Sequence, residues 1–125
     1  MGQVLLAGAG ASRDDATVQA ADSTMIYTLM LFDRPDAGDL RQRVRPEHKA
    51  YLARMAERIA FAGPLLADDG VTMTGSLLAI DFADRAAVQA WLADEPFTRA
   101  GLYGRVEIHA FANLWPQRVG FPPTS

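Results

Sequence analysis

The chain holds 125 residues, half of them hydrophobic, with a net charge of -3. That is the size of one domain, with enough apolar material for a single packed core. The charge lacks the basic footprint of a nucleic-acid binder. No run reaches the roughly 18 apolar residues of a membrane span. The lack of cysteine excludes a disulfide framework, a thiolate metal site and a cysteine nucleophile, and it fits a cytoplasmic protein.

Residues 1–24 are rich in Ala, Gly, Ser, Thr and Asp and read as an N-terminal extension. The apolar start Val4-Leu5-Leu6-Ala7 is short and has no basic region before it, which argues against a secretory leader. Gly8-Ala9-Gly10 resembles the opening of a dinucleotide fingerprint. No third glycine follows, and Arg13-Asp14-Asp15 stands where an apolar helix face is needed. The folded domain is expected over residues 25–115, with an irregular, Pro-rich tail at 116–125.

Met25 to Phe32 is a continuous run of strand formers. Ile26, Met30 and Phe32 fall on one face and Tyr27, Leu29 and Leu31 on the other, so both faces need cover and the strand is central. Pro46 suits a first helical position, which predicts a helix from there to about Ala60. Its apolar stripe is His48, Leu52, Met55 and Ile59. The basic cluster between Arg41 and Arg54 is interleaved with acids and reads as a solvated helix face. Ala62-Gly63-Pro64-Leu65-Leu66 is a short edge segment, because Pro64 cannot donate to a ladder. A strand follows from Thr72 to Phe82, with Ser76, Leu78, Ile80 and Phe82 on one face. Asp84 is placed to cap a second helix whose stripe is Val88, Trp91 and Leu92. Pro96 ends that helix by biasing Glu95 out of the helical region, and a short turn spans Phe97 to Leu102. The last strand is expected over Tyr103 to Trp115, with Val106, Ile108 and Ala110 facing one way and Glu107, His109 and Phe111 the other.

The order strand, helix, strand, strand, helix, strand predicts an α+β, ferredoxin-like domain with a four-stranded antiparallel sheet. Two helices cover one sheet face only. The other face, bearing Phe111, mixes apolar and polar groups and is expected to meet a second subunit.

Several stretches resemble the YCII-related family. They are Tyr27-Thr-Leu-Met-Leu31, Arg45-Pro-Glu-His48, Ala62-Gly63-Pro64-Leu65-Leu66, Thr74-Gly75-Ser76-Leu77-Leu78, Asp94-Glu95-Pro96-Phe97 and Ala100-Gly101-Leu102-Tyr103. No single motif is specific, but the ordered set over residues 25 to 115 is. The resemblance implies a homodimer of ferredoxin-like subunits of the dimeric α+β barrel type. It also implies a cleft holding a histidine and an acidic residue. Most members have no known reaction, and a dehydrochlorinase of a chlorinated hydroxyhydroquinone is one enzyme associated with the family. The family often carries Asp directly before the proline. Here that position is Glu95, with Asp94 one earlier, so either acid is left as the partner of the histidine.

His48 is the expected acid or base, placed by this reading in the first turn of its helix. The competing role is a histidine packed at the sheet rim. Asp94 and Glu95 are the candidate carboxylates, and one of them is expected to cap the turn at Pro96. Arg45, read as preceding the helix, and Ser76 are candidate substrate contacts. Arg45 as a surface ion pair would contribute little. Tyr103 reads as packing and His109 as a structural histidine or the lining of a dimer cavity. One histidine and two carboxylates have no tight metal-ligand spacing, so neither metal nor cofactor is expected. Two functional classes follow. One is a small cofactor-independent lyase or isomerase acting on a polar or aromatic ligand. The other is a non-catalytic ligand-binding or interaction module.

Overall fold

The computed structural model describes residues 24–116. The expected N-terminal extension up to residue 23, and the expected tail beyond residue 116, lie outside the described residues.

Strand β1 (Met25–Asp33) is followed by helix α1 (Leu40–Ala53) and a 3-10 turn at Ala56–Arg58. Strands β2 (Ile59–Leu66) and β3 (Met73–Phe82) come next, then helix α2 (Arg85–Ala93), the one-turn helix α3 (Pro96–Arg99) and strand β4 (Tyr103–Phe111). The sheet order is β2-β3-β1-β4, and every neighbouring pair is antiparallel. The fold is thus the expected ferredoxin-like α+β arrangement. β1 is central, as its two apolar faces require.

Register decides which residues meet the helices. Leu29 lies opposite Leu78 on β3 and Ile108 on β4, and Leu31 lies opposite Ser76 and Val106. Tyr27, Leu29, Leu31, Leu78, Ile80 and Phe82 are buried with Val88 and Leu92 of α2. Burying side chains of this size stabilises by about 1.5–3 kcal/mol each. Gly75 lets β1 and β3 close at the level of the candidate site. A Cβ there would come within 2.3 Å of the Leu31 carbonyl oxygen. The opposite face has no helix. It carries Ile26, Met30 and Phe32 of β1, with Phe61 and Phe111 still 45% and 40% exposed.

The structure corrects three boundaries. α1 begins at Leu40, so Pro46 lies inside the helix instead of opening it, and Arg45 is helical as well. Pro46 leaves the Gln42 carbonyl without its usual i+4 donor. The turns before it are secured by side chains. Arg43 donates to Asp39 at 2.9 Å and holds that carboxyl below its ordinary range, and Arg41 is anchored to β1. Second, α1 ends at Ala53, and Ile59, assigned to its apolar stripe, opens β2 instead. Met55 and Ile59 still pack on the core. The stripe picked out residues that face the core, of which His48 is buried and Leu52, Met55 and Ile59 partly so, but helical spacing alone did not show where the chain turned. Third, β4 ends at Phe111, and Leu114 and Trp115 are exposed.

The remaining local signals act as their chemistry directs. Asp84 accepts from the Ala87 N–H at 2.9 Å and caps α2. β2, which carries Pro64, is an edge strand with irregular register at both ends. After α3 the chain turns at Gly101, whose φ of 77° lies in the left-handed region that glycine adopts without a Cβ clash. Among the described residues, no helix is long and apolar enough to cross a membrane.

Candidate functional site

Two elements bring the site together from distant parts of the chain. α1 supplies Arg41, Arg45, His48 and Lys49 along one side. The break between α2 and α3 supplies Glu95. Its backbone is extended, with φ -69° and ψ 134°, as the following proline demands. That conformation lets its side chain turn back over the first turn of α3. Glu95 Oε2 accepts from the Phe97 N–H at 3.0 Å, so Glu95 is itself the cap.

The same oxygen lies 2.6 Å from His48 Nδ1. Glu95 is fully buried, and the His48 side chain is about 10% exposed. An ionised Glu95 can only accept, so the imidazole places its proton on Nδ1. Nε2 then keeps its lone pair and has no protein partner among the described residues. The ring also stacks on Phe97, with centroids 4.1 Å apart and planes 18° apart. Pairing and stacking together fix its position and its tautomer. Glu95 Oε1 is buried without a partner.

A second polar group lies beside the first. Asp33, at the end of β1 where the pairing with β4 slips by one residue, receives two bonds from Arg41, at 2.7 and 2.8 Å. Arg41 also donates to Ser76 Oγ at 3.1 Å, and its guanidinium lies over the Phe97 ring at 4.7 Å. Tyr103 packs edge-on to Phe97 and donates to Ser76 Oγ at 3.5 Å. Burial, reinforced by the negative charge of Glu95, pushes the Tyr103 phenol up, so it serves as a neutral donor.

A cavity of about 200 Å³ opens beside these groups. Its polar lining is Arg41, Arg45, His48, Lys49 and Ser76. Its apolar lining includes Leu52, Ala62, Pro64 and Leu78. Glu95 stands behind His48 and outside the lining. The arrangement presents a histidine base at a partly apolar cavity with hydroxyl and cationic groups around it.

Of the residues singled out in the sequence, His48, Glu95, Arg45 and Ser76 come together. Asp94 does not. It is exposed at the C-cap of α2, and the capping role open to it falls to Glu95. His48 lies two turns into α1, not in the first turn where it was expected, because the helix begins at Leu40. His109 is on the helix-free sheet face, 3.2 Å from Glu107. Three contributors were missed: Asp33, Arg41 and Lys49. The basic cluster had been read as solvated, yet Arg41 is 5% exposed. The one available signal was the i+4 and i+8 spacing of Arg45 and Lys49 from Arg41. Among the described residues, no three His, Asp or Glu side chains gather to hold a metal.

The model of the YCII-related domain matches residues 25–112, more than half of the chain. The chain belongs to the YCII-related family. The Protein YciI of Escherichia coli is 32% identical over 98 residues, which cover 73% of this chain and all of that protein. An uncharacterized protein of Haemophilus influenzae is 30% identical over the same length and coverage. Among solved structures, the chain is similar to the 5-chloro-2-hydroxyhydroquinone dehydrochlorinase of Burkholderia phenoliruptrix in complex with 2,5-dihydroxybenzoquinone. The identity is 29% and the TM-score 0.66, over 70% of this chain and 94% of that one.

The Asp33–Arg41 pair is expected to hold β1, β3 and α1 in place around the cavity. Its side chains are 12% and 7% exposed, so removing one partner leaves the other a nearly buried charge. Asp33→Ala should cost about 3 kcal/mol in urea unfolding. Adding Arg41→Met should recover part of that loss, because the stranded charge goes with it. Additive losses would show that the pair is not coupled.

Proposed function

We propose that the chain is a small lyase that removes hydrogen chloride from a hydroxylated, chlorinated six-membered ring, with His48 and Glu95 as its acid–base pair. The observation that carries this reading is the buried His48–Glu95 contact through Nδ1, in a histidine that lines the cavity. The resemblance to the dehydrochlorinase supports the choice of substrate class. An open cavity beside the pair favours catalysis over a non-catalytic binding or interaction module.

The chemistry needs only a group that takes and returns protons. Nε2 removes a ring hydroxyl proton while Glu95 stabilises the imidazolium that forms. The imidazolium returns that proton to the carbon bearing chlorine, which becomes tetrahedral as the oxygen becomes a ketone. Loss of a second hydroxyl proton to Nε2 then drives electrons toward that carbon. The C–Cl bond breaks, chloride leaves with its electron pair, and the ring becomes a quinone. The net change is loss of one proton and one chloride. The ring is oxidised as the C–Cl bond is reduced, so no external oxidant enters. Ser76 is suited to hold a ring oxygen, and Phe97 keeps the imidazole in its plane. Asp94 has no part in this scheme.

The reading also includes a homodimer. The helix-free sheet face carries Ile26, Met30, Phe32, Phe61 and Phe111, too much apolar surface to leave in water without a partner. A second copy is the simplest cover. Light scattering at micromolar concentration should give twice the 13.6 kDa chain mass. A stable particle of one chain mass would remove the dimer.

The catalytic reading is tested by chloride release from 5-chloro-2-hydroxyhydroquinone, followed by ion chromatography. His48→Gln should lower turnover at least about 100-fold while the particle mass stays the same. No chloride release by the wild-type chain, or unchanged release by His48→Gln, would overturn the assignment.

A further inference from the structure

The Arg and Lys side chains of the described residues fall into two groups. Arg34, Arg41, Arg43 and Arg105 each have a carboxylate within ion-pair distance. Among the described residues, Arg54, Arg58, Arg85 and Arg99 have none, and neither do Arg45 and Lys49, which of these six are the two that line the His48 cavity. They are one helical turn apart on α1, where like charges repel and weaken the helix. Both line the His48 cavity. Both also line an adjoining outer hollow of about 400 Å³ with Gln42 and Pro46. They therefore stand between the inner cavity and the outer surface, and no acidic residue lines either space.

The charge of the inner site adds to this. Asp33 cancels Arg41, and Glu95 offsets His48 when the imidazole is protonated. With the imidazole neutral, Glu95 keeps one buried negative charge behind His48, and Arg45 and Lys49 place two positive charges at the entrance with no carboxylate paired to either. The cavity size sets the other requirement. A cavity of roughly 150 Å³ accepts benzene, so about 200 Å³ holds one substituted ring. Leu52, Pro64 and Leu78 supply apolar walls for such a ring.

We propose that Arg45 and Lys49 form an anion subsite at the mouth of the His48 cavity, and that the natural ligand is a single ring bearing a carboxylate. The ring lies inward against the apolar walls, within reach of Nε2. The carboxylate lies outward, where Arg45 offers a planar pair of donors and Lys49 a compact charge. The inference rests on the cavity being the substrate site, and it adds a requirement that the acid–base scheme alone does not make.

Calorimetric titration of the full chain with benzoate and with benzamide separates charge from shape. Benzoate should bind at least about tenfold more tightly than benzamide at low salt. That advantage should shrink as salt is raised, since the entrance is open to solvent. The double variant Arg45→Gln, Lys49→Gln should lose about tenfold in benzoate affinity and keep its benzamide affinity. Lys49→Gln alone, at an exposed side chain, should give an intermediate loss. Equal affinities for the two probes, an unchanged double variant, or no saturable benzoate binding would overturn the subsite. These readouts are independent of turnover. A flat benzoate titration with His48-dependent chloride release would sink the subsite and leave the acid–base pair standing. Charge-selective binding with His48-independent release would do the reverse.

Discussion

A carboxylate taken fully out of water must be paired, because burying it alone costs several kcal/mol. Glu95 meets that demand through one oxygen, shared between His48 Nδ1 and the Phe97 N–H. The contact joins α1 to the break between α2 and α3, two segments 47 residues apart in the chain. It sets the orientation of the imidazole, starts α3, and places Phe97 where His48 stacks on it and the Arg41 guanidinium lies over it. Pro96 matters here for a backbone reason. It holds Glu95 extended, and an extended Glu95 can cap the next turn.

The Arg41–Asp33–Ser76 group does for the sheet what Glu95 does for the helices. It ties the end of β1 to the start of α1 and to the middle of β3. Its charges cancel within the group, so it shapes the cavity without adding net charge. The His48 pair and the Arg41 group meet at Phe97. This gives the catalytic scheme a rigid frame for a base that must face the cavity at a fixed angle.

Much of the fold was legible because it rests on local rules. The doubly apolar β1, the Asp84 cap, the edge position of Pro64 and the stop before Pro96 each follow from one or two residues. His48 and Glu95 were legible as candidates through their motifs. The choice between Asp94 and Glu95 was not, since it depends on which side chain the extended backbone at residue 95 turns inward. Arg41 was hidden for a related reason. In sequence it resembles its exposed neighbours, and only the return of β1's end to the helix gives it Asp33. The position of Pro46 misled because a proline that suits a first turn is also tolerated deeper in a helix whose preceding turns are anchored by side chains.

The central claim is that Glu95 holds His48 with its proton on Nδ1 and its lone pair on Nε2. Long-range nitrogen–proton NMR of the imidazole reads that directly. In the neutral ring, His48 should show a protonated, hydrogen-bonded Nδ1 and an unprotonated Nε2. Glu95→Gln should shift the Nδ1 signals away from that hydrogen-bonded position. A neutral His48 carrying its proton on Nε2, with spectra indifferent to Glu95→Gln, would contradict the account.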